Sequence, residues 1–392
     1  MKSSRSRSKR SDAALRPATR LQLALASGFH PTYDITKSYE WNYRNGPLFR
    51  GPYPPPRRVD DRIRLLDFEL NSRLGIAAGP LLNSNWTRLY ARLGFDLLSY
   101  KTVRTQRRPS NPAPNCVFVA TSGQLSADRE GETLYAREIA PEHIEDISIT
   151  NSFGVPSRGP KTWQEDVARA KGFLEPGQVL VVSTMGSSEY HPERGAFVRD
   201  FALSARLAQE AGADIVELDL SCPNSNAAEG MVYLDAKLVE EIVIASKRAI
   251  QATPLFIKVG SFRSRIRLFE VLRACAGHVE GVVGINTVKM TVLRSDGAPA
   301  VPGRPQSGVC GSAIRSTALD FLRLVLEERA RQRYDFVVIG VGGIMTPDHI
   351  DEFLGRDSIP DAVEMATAAM WDPYLAYRYY LRYHPDSAPP VS

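Results

Sequence analysis

Eight short apolar runs rich in β-branched residues alternate with helix-patterned segments along this chain, and no other feature restricts its fold as much. The runs are Leu74–Ala78, Leu97–Val103, Val179–Thr184, Ile215–Leu220, Leu255–Val259, Val282–Asn286, Phe336–Gly340 and Ala362–Ala366. Strands separated by helical segments cannot pair as tight hairpins, so the alternation predicts a parallel sheet. Apolar character at nearly every position, rather than every second one, requires burial of both faces, as in a closed (β/α)8 TIM barrel. Between the third and fourth runs, Val198, Phe201, Ala205 and Ala208 form one helical stripe opposite Arg199, Arg206 and Glu210, and Gly212 is placed to cap the end. A doubly wound open sheet is the alternative, but it expects a Gly-x-Gly-x-x-Gly turn after the first strand. None is present there, whereas phosphate-binding signals follow the last two runs, Gly342-Gly343 after the seventh and Ala366-Thr367 at the end of the eighth, where barrels bind phosphate.

The length of 392 residues suits one barrel with additions. Residues 1–66 read as an N-terminal extension that includes the stiff, donor-poor stretch Gly51-Pro52-Tyr53-Pro54-Pro55-Pro56, and residues 67–392 read as the barrel domain. The connection between the second and third runs, residues 105–178, is too long for a barrel loop. Its polar middle, Thr121 to Thr133, predicts an insertion or small hairpin layer outside the barrel. The start of the chain carries Lys2, Arg5, Arg7, Lys9 and Arg10 with no acid before Asp12, and reads as a disordered, solvated tail. An organelle transit peptide and a nucleic-acid arm are the other readings of such a composition.

Composition narrows the function classes. Hydrophobic residues at 43% and charged residues at 24% are ordinary globular values. No run approaches the roughly 18 to 20 apolar residues that span a bilayer, and no signal-peptide core opens the chain. The expectation is a cytoplasmic protein without a membrane partner. Cys116, Cys222, Cys275 and Cys310 show no Cys-x-x-Cys spacing, so no metal or iron–sulfur site is expected and a reducing compartment fits. The net charge of +5, partly held in the tail, is too small to suggest a nucleic-acid face. The oligomeric state is left open, a homodimer through exposed barrel faces being one reading.

Barrel enzymes assemble their sites from the carboxyl ends of their strands. There the run Val216-Glu217-Leu218-Asp219-Leu220 ends in Ser221-Cys222-Pro223-Asn224, a thiol followed by a rigid turn. A lone free cysteine is more often a small core hydrophobe, so the other strand ends decide its meaning. Gly342 and Gly343 leave the seventh run and Ala366 and Thr367 the eighth, a pair of signals suited to a phosphate cradle. Lys101 and Lys258 end the second and fifth runs, and apolar strands rarely carry lysine inward unless an anion meets it. Asn286 and Thr287 follow the sixth run, and Asn151-Ser152-Phe153-Gly154 precedes the third. Amide side chains both donate and accept, which suits a ring of alternating carbonyl and N–H groups such as a dihydropyrimidine.

Across residues 70–375, in the same chain order, this set resembles the dihydroorotate dehydrogenase family, and the Ser-Cys-Pro-Asn segment resembles its class 1 members. The resemblance implies an FMN cofactor and a dihydropyrimidine substrate. It implies Cys222 as the catalytic base, where the membrane-bound class 2 has serine. Lys101 matches a lysine between flavin and substrate, and Lys258 a flavin lysine. Asn151, Ser152, Phe153 and Gly154 are similar to the substrate loop, and Asn224 and Asn286 to substrate asparagines, with Thr287 beside them. Gly75-Ile76-Ala77-Ala78-Gly79, Gly311, Ser312, Gly342, Gly343, Ala366 and Thr367 look like FMN contacts. One departure stands out: Asp219 replaces the family's asparagine, and an ionised carboxylate only accepts hydrogen bonds, which leaves the exact substrate open.

The implied reaction is oxidation of dihydroorotate, with Cys222 taking a ring proton while hydride passes to flavin, and Asn226 to Tyr233 as a candidate lid. The competing readings are a dihydrouracil-type dihydropyrimidine dehydrogenase, a tRNA dihydrouridine synthase and a flavin-binding barrel without catalysis. The electron acceptor is left open among fumarate, NAD through a partner subunit and quinone, the last least favoured without a membrane-binding helix.

Overall fold

The computed structural model describes residues 17–27, 29–59, 62–222, 227–355 and 359–388. The basic tail therefore lies outside the described residues, as do Asn224 and Asn226. The eight expected runs become eight strands: β1 (Leu74–Ile76), β2 (Leu97–Val103), β3 (Val179–Thr184), β4 (Ile215–Asp219), β5 (Leu255–Val259), β6 (Gly281–Gly284), β7 (Val337–Val341) and β8 (Ala362–Met365). They close a barrel in chain order, β8 pairing back onto β1, with every pairing parallel. Strands β1, β4, β6 and β8 end before the apolar runs do. Their last residues leave the ladder at the carboxyl end of the barrel.

Two apolar clusters result. Residues facing outward pack under the helices, where the helix Arg194–Glu210 buries Phe201, Ala205 and Ala208 and exposes Arg199, Arg206 and Glu210. Gly212 takes the left-handed conformation, with φ of 99°, that ends this helix. Inward positions recur every second residue. At the amino ends they are apolar, with Leu97, Val181, Ile215, Phe256, Ile339 and Ala362 in one cluster. Leu65 and Leu70 of the antiparallel pair Ile63–Leu65 and Phe68–Leu70 join that cluster from below. Towards the carboxyl ends the inward residues become Ser99, Lys101, Ser183, Glu217, Asp219, Lys258 and Glu364, all buried. Buried charges of this density have no place in a packing core; they mark where the barrel ends and the site begins.

The expected insertion is a five-stranded closed layer, and it is larger than the sequence suggested. Cys116–Ala120, Thr133–Arg137 and Ser148–Asn151 come from the β2–β3 connection, whereas Val288–Leu293 and Gln306–Gly311 come from the connection after β6. The insertion between the second and third strands is thus completed by a second one. Val288–Leu293 does alternate buried and half-buried positions, but besides the following strand Gln306–Gly311 it pairs with Thr133–Arg137, which is distant in sequence.

The N-terminal extension packs along the outside of the barrel. Near the carboxyl end, the N–H groups of His30 and Thr32 donate to the carbonyls of Trp371 and Met370 at 2.6 and 2.8 Å. Toward the amino end, Arg57 makes a two-pronged ion pair with the buried carboxylate of Asp96, at 2.8 Å to each oxygen.

Candidate active site

A cavity of about 820 Å³, counting its open mouth, lies over the carboxyl ends of the strands. It brings together most of the residues singled out from the sequence: Ala78, Gly79, Lys101, Asn151, Phe153, Asp219, Cys222, Lys258, Asn286, Thr287, Ala366 and Thr367. Ser152 and Gly154 stand behind that lining. The Ser152 N–H donates to Asn115 O at 2.7 Å, and Gly154 backs onto the Asn111 side chain. Gly311, Ser312, Gly342 and Gly343 lie beside it rather than on the wall. Asn224 falls outside the described residues.

Cys222 follows β4 and is half-buried at the cavity wall. Two buried ammonium groups line the same wall. Burial pushes the Lys101 pKa down, and the nearby Cys222 and Asp219 only partly offset it. Burial also acts against the charge on Lys258, but Glu217, Glu364, Asp219 and Cys222 together outweigh it and hold its pKa above the ordinary lysine value.

Asp219, the departure noted in the sequence, is occupied from within the protein. Its Oδ1 accepts from the Ser221 N–H at 3.2 Å and from Asn286 Nδ2 at 3.4 Å, and its Oδ2 accepts from the Thr102 hydroxyl at 3.4 Å. Every partner donates, the arrangement an acceptor-only carboxylate requires. Asn286 Nδ2 also lies 3.3 Å from Ser221 Oγ, so Asp219 and Asn286 form one polar edge of the cavity. On the far side Asn151 Nδ2 and Thr367 Oγ1 donate to Cys310 Sγ at 3.5 and 3.4 Å. Burial pushes the Cys310 thiol up to about 11, so it stays neutral there.

The cradle fits a phosphate-bearing flavin. Gly311 and Gly343 hold φ of 91° and 73°, and a Cβ on either would fall 2.4 Å from Ile147 O and 2.6 Å from Arg315 Cα. Only glycine fits these turns, where the backbone packs closely against the chain beside the cavity. The Thr287 hydroxyl is buried at the cavity without a hydrogen-bond partner, and the Lys258 ammonium faces the same space. Among the described residues no group of three or more His, Cys, Asp or Glu side chains is arranged to hold a metal ion, and no helix is long and apolar enough to cross a membrane.

Several residues at the site were not legible in the sequence. Tyr33 of the extension lines the cavity with its hydroxyl unpartnered, and its ring lies 5.8 Å from that of Phe153. Ile149 and Cys310 of the inserted layer and Met370 also line it. Arg104, just past β2, pairs with Glu229 at 2.9 Å with both side chains fully buried. Glu229 also accepts from the Ser188 N–H at 2.8 Å. The chain leaving Cys222 is therefore pinned where it re-enters the described structure at Ala227–Gly230.

A parallel eight-stranded barrel with a thiol, two lysines and paired amides at its carboxyl mouth defines the class of barrel enzymes that do their chemistry at that end. The comparisons narrow the class. The family model for dihydroorotate dehydrogenase matches residues 62–356, and the chain belongs to this oxidoreductase family. It is 37% identical over 365 residues to the dihydroorotate dehydrogenase of Dictyostelium discoideum, covering 89% of this chain and 96% of that one. It is 31% identical over 233 residues to the PreA subunit of the NAD-dependent dihydropyrimidine dehydrogenase of Escherichia coli (strain K12), covering 56% of this chain and 53% of that one. The crystal structure of the Eimeria tenella dihydroorotate dehydrogenase in complex with ferulenol superposes with a TM-score of 0.63 over 86% of this chain and 88% of that one. At 15% identity that likeness establishes the fold alone.

Proposed function

We propose that this chain oxidises dihydroorotate to orotate with FMN as its cofactor and Cys222 as the base, the class 1 arrangement. The observation that carries the reading is the thiol of Cys222 sharing one cavity with Lys101, Lys258 and the Asp219–Asn286 edge. Bound FMN would supply the hydride acceptor. Gly311, Ser312, Gly342, Gly343, Ala366 and Thr367 would hold its phosphate end, with Ala78, Gly79 and Lys258 along the ring.

The chain's own residues then do three things. Cys222 Sγ, as thiolate, removes a proton from the substrate ring. Asn151 and Asn286 present amides to the ring's carbonyl and N–H groups, Asn224 is assigned the same task from the family pattern alone, and Lys101 meets its negative charge. Phe153 and Tyr33 close the apolar side and exclude water.

Anaerobic mixing with dihydroorotate, with dihydrouracil and with buffer alone, followed by flavin absorbance, tests the reading. The expected result is bleaching by dihydroorotate that Cys222→Ala slows by about 10²–10⁴-fold, the usual worth of a positioned base. Bleaching by dihydrouracil alone would reassign the substrate to the second class of relative. Full-rate bleaching in Cys222→Ala would remove the base assignment.

A further inference from the structure

The barrel interior beneath the cavity holds more acid than its bases neutralise. Glu217 of β4 and Glu364 of β8 are buried, at 0% and 2% exposure, and come from strands on opposite sides of the ring. Ser99 of β2 donates to Glu364 Oε1 at 2.7 Å. The other Glu364 oxygen has no hydrogen-bond partner, and the Glu217 carboxylate has only the nearby Ser183 hydroxyl to offset its burial, with no ideal hydrogen bond to either oxygen. The charged groups facing them are Lys258 from β5, and Asp219 and Lys101 nearer the mouth. Strands β1, β3, β6 and β7 carry no ionisable side chain. Neither lysine is within ion-pair distance of a carboxylate among the described residues, and Asp219 and Cys222 already draw on both. Ionising both glutamates would therefore leave a poorly compensated carboxylate in a dry core, which burial opposes.

We propose that Glu217 and Glu364 share a single proton and act as a positioning pair that keeps Lys258 charged toward the cavity while holding the barrel interior near neutrality. Two carboxyl groups that cannot both ionise behave as one coupled acid. Burial is the largest influence on each; for Glu364 the charge of Glu217 adds to it and moves the group up to about 7. Loss of the shared proton adds a negative charge under Lys258, so this element makes the environment of the cavity floor depend on pH near neutrality. The functional half of this inference rests on FMN lying over Lys258; the shared proton itself does not.

Infrared difference spectra of the purified holoenzyme across pH test the pair. The expected wild-type signal is one carboxylic-acid carbonyl stretch, shifted in D2O, that persists above the ordinary glutamate value of 4.5 and disappears through about 7. Either Glu217→Gln or Glu364→Gln alone removes it, because the remaining carboxylate is balanced by Lys258. Absence of the band in wild type overturns the proposal and needs no variant. Persistence of the band in both variants overturns the sharing.

Thermal stability supplies the sign. A folded pKa raised above the unfolded one means that the native state binds the proton more tightly, so this stability is lost as pH rises from 4.5 through about 7. The melting temperature of wild type falls relative to Glu364→Gln over that window, and a pH-independent difference counts against the pair. With FMN bound, its midpoint potential falls more steeply with pH in wild type than in Glu364→Gln, whereas equal slopes would leave Lys258 uncoupled from the pair. A colourless protein that still shows the acid band would reject the flavin reading and keep the shared proton.

Discussion

At the scale of single residues, Asp219 shows how one substitution is absorbed locally. Read in sequence, a carboxylate in place of an amide threatens recognition of a pyrimidine ring. In the fold its oxygens accept from Ser221, Asn286 and Thr102. Asp219→Asn replaces one acceptor with an NH2 that opposes those donors. The expected outcome is a loss of about 1–3 kcal/mol in denaturant unfolding, the cost of leaving a buried donor unpaired, with orotate affinity changed only a few-fold in a titration. A tenfold gain in orotate affinity at unchanged stability would show instead that Asp219 meets the ligand bare.

At the scale of elements, a buried ion pair helps to hold the return of the chain after Cys222. Arg104 also donates to Gly186 O at 2.9 Å and to the Ser187 hydroxyl at 3.0 Å, so it joins the ends of β2 and β3 to Glu229. Removing one partner leaves a fully buried charge uncompensated, which costs about 3–5 kcal/mol. Arg104→Met should show that loss in urea unfolding, and Arg104→Met with Glu229→Leu should recover much of it. Losses that simply add would mean that the two side chains are stabilised separately. The same variant should slow flavin bleaching, because the segment that carries Cys222 loses its anchor.

At the scale of the whole molecule, the extension completes the cavity. Leu21, Tyr33 and Tyr39 are buried against the barrel, each worth about 1.5–3 kcal/mol of transfer free energy. Deleting residues 1–46 should lower the melting temperature and release flavin, because the Tyr33 side of the cavity opens to water. A truncated protein that melts with wild type and keeps its flavin would reduce the extension to an ornament of the fold.

The barrel was legible because its signal is local: each strand is a run of apolar residues whose burial on two faces needs no knowledge of distant partners. That Lys101, Cys222, Lys258 and Asn286 meet at one cavity was legible for a related reason, since a polar residue at the end of an apolar strand already stands at the mouth of a barrel. The inserted layer was half visible, because Val288–Leu293 and Gln306–Gly311 pair with strands more than a hundred residues earlier. Tyr33, Arg104 and Glu229 carried no pattern at all; only closure of the chain brings the extension to the cavity and the two charges together. Glu217 and Glu364 lie in strands that the sequence placed correctly, yet their opposition depends on ring closure, which sets β4 across from β8. Sequence by itself determined which residues could become strands and which strand ends carried polar and reactive side chains. Tertiary structure alone decided which charges share a dry interior, because electrostatic cost depends on distance and burial rather than on order along the chain.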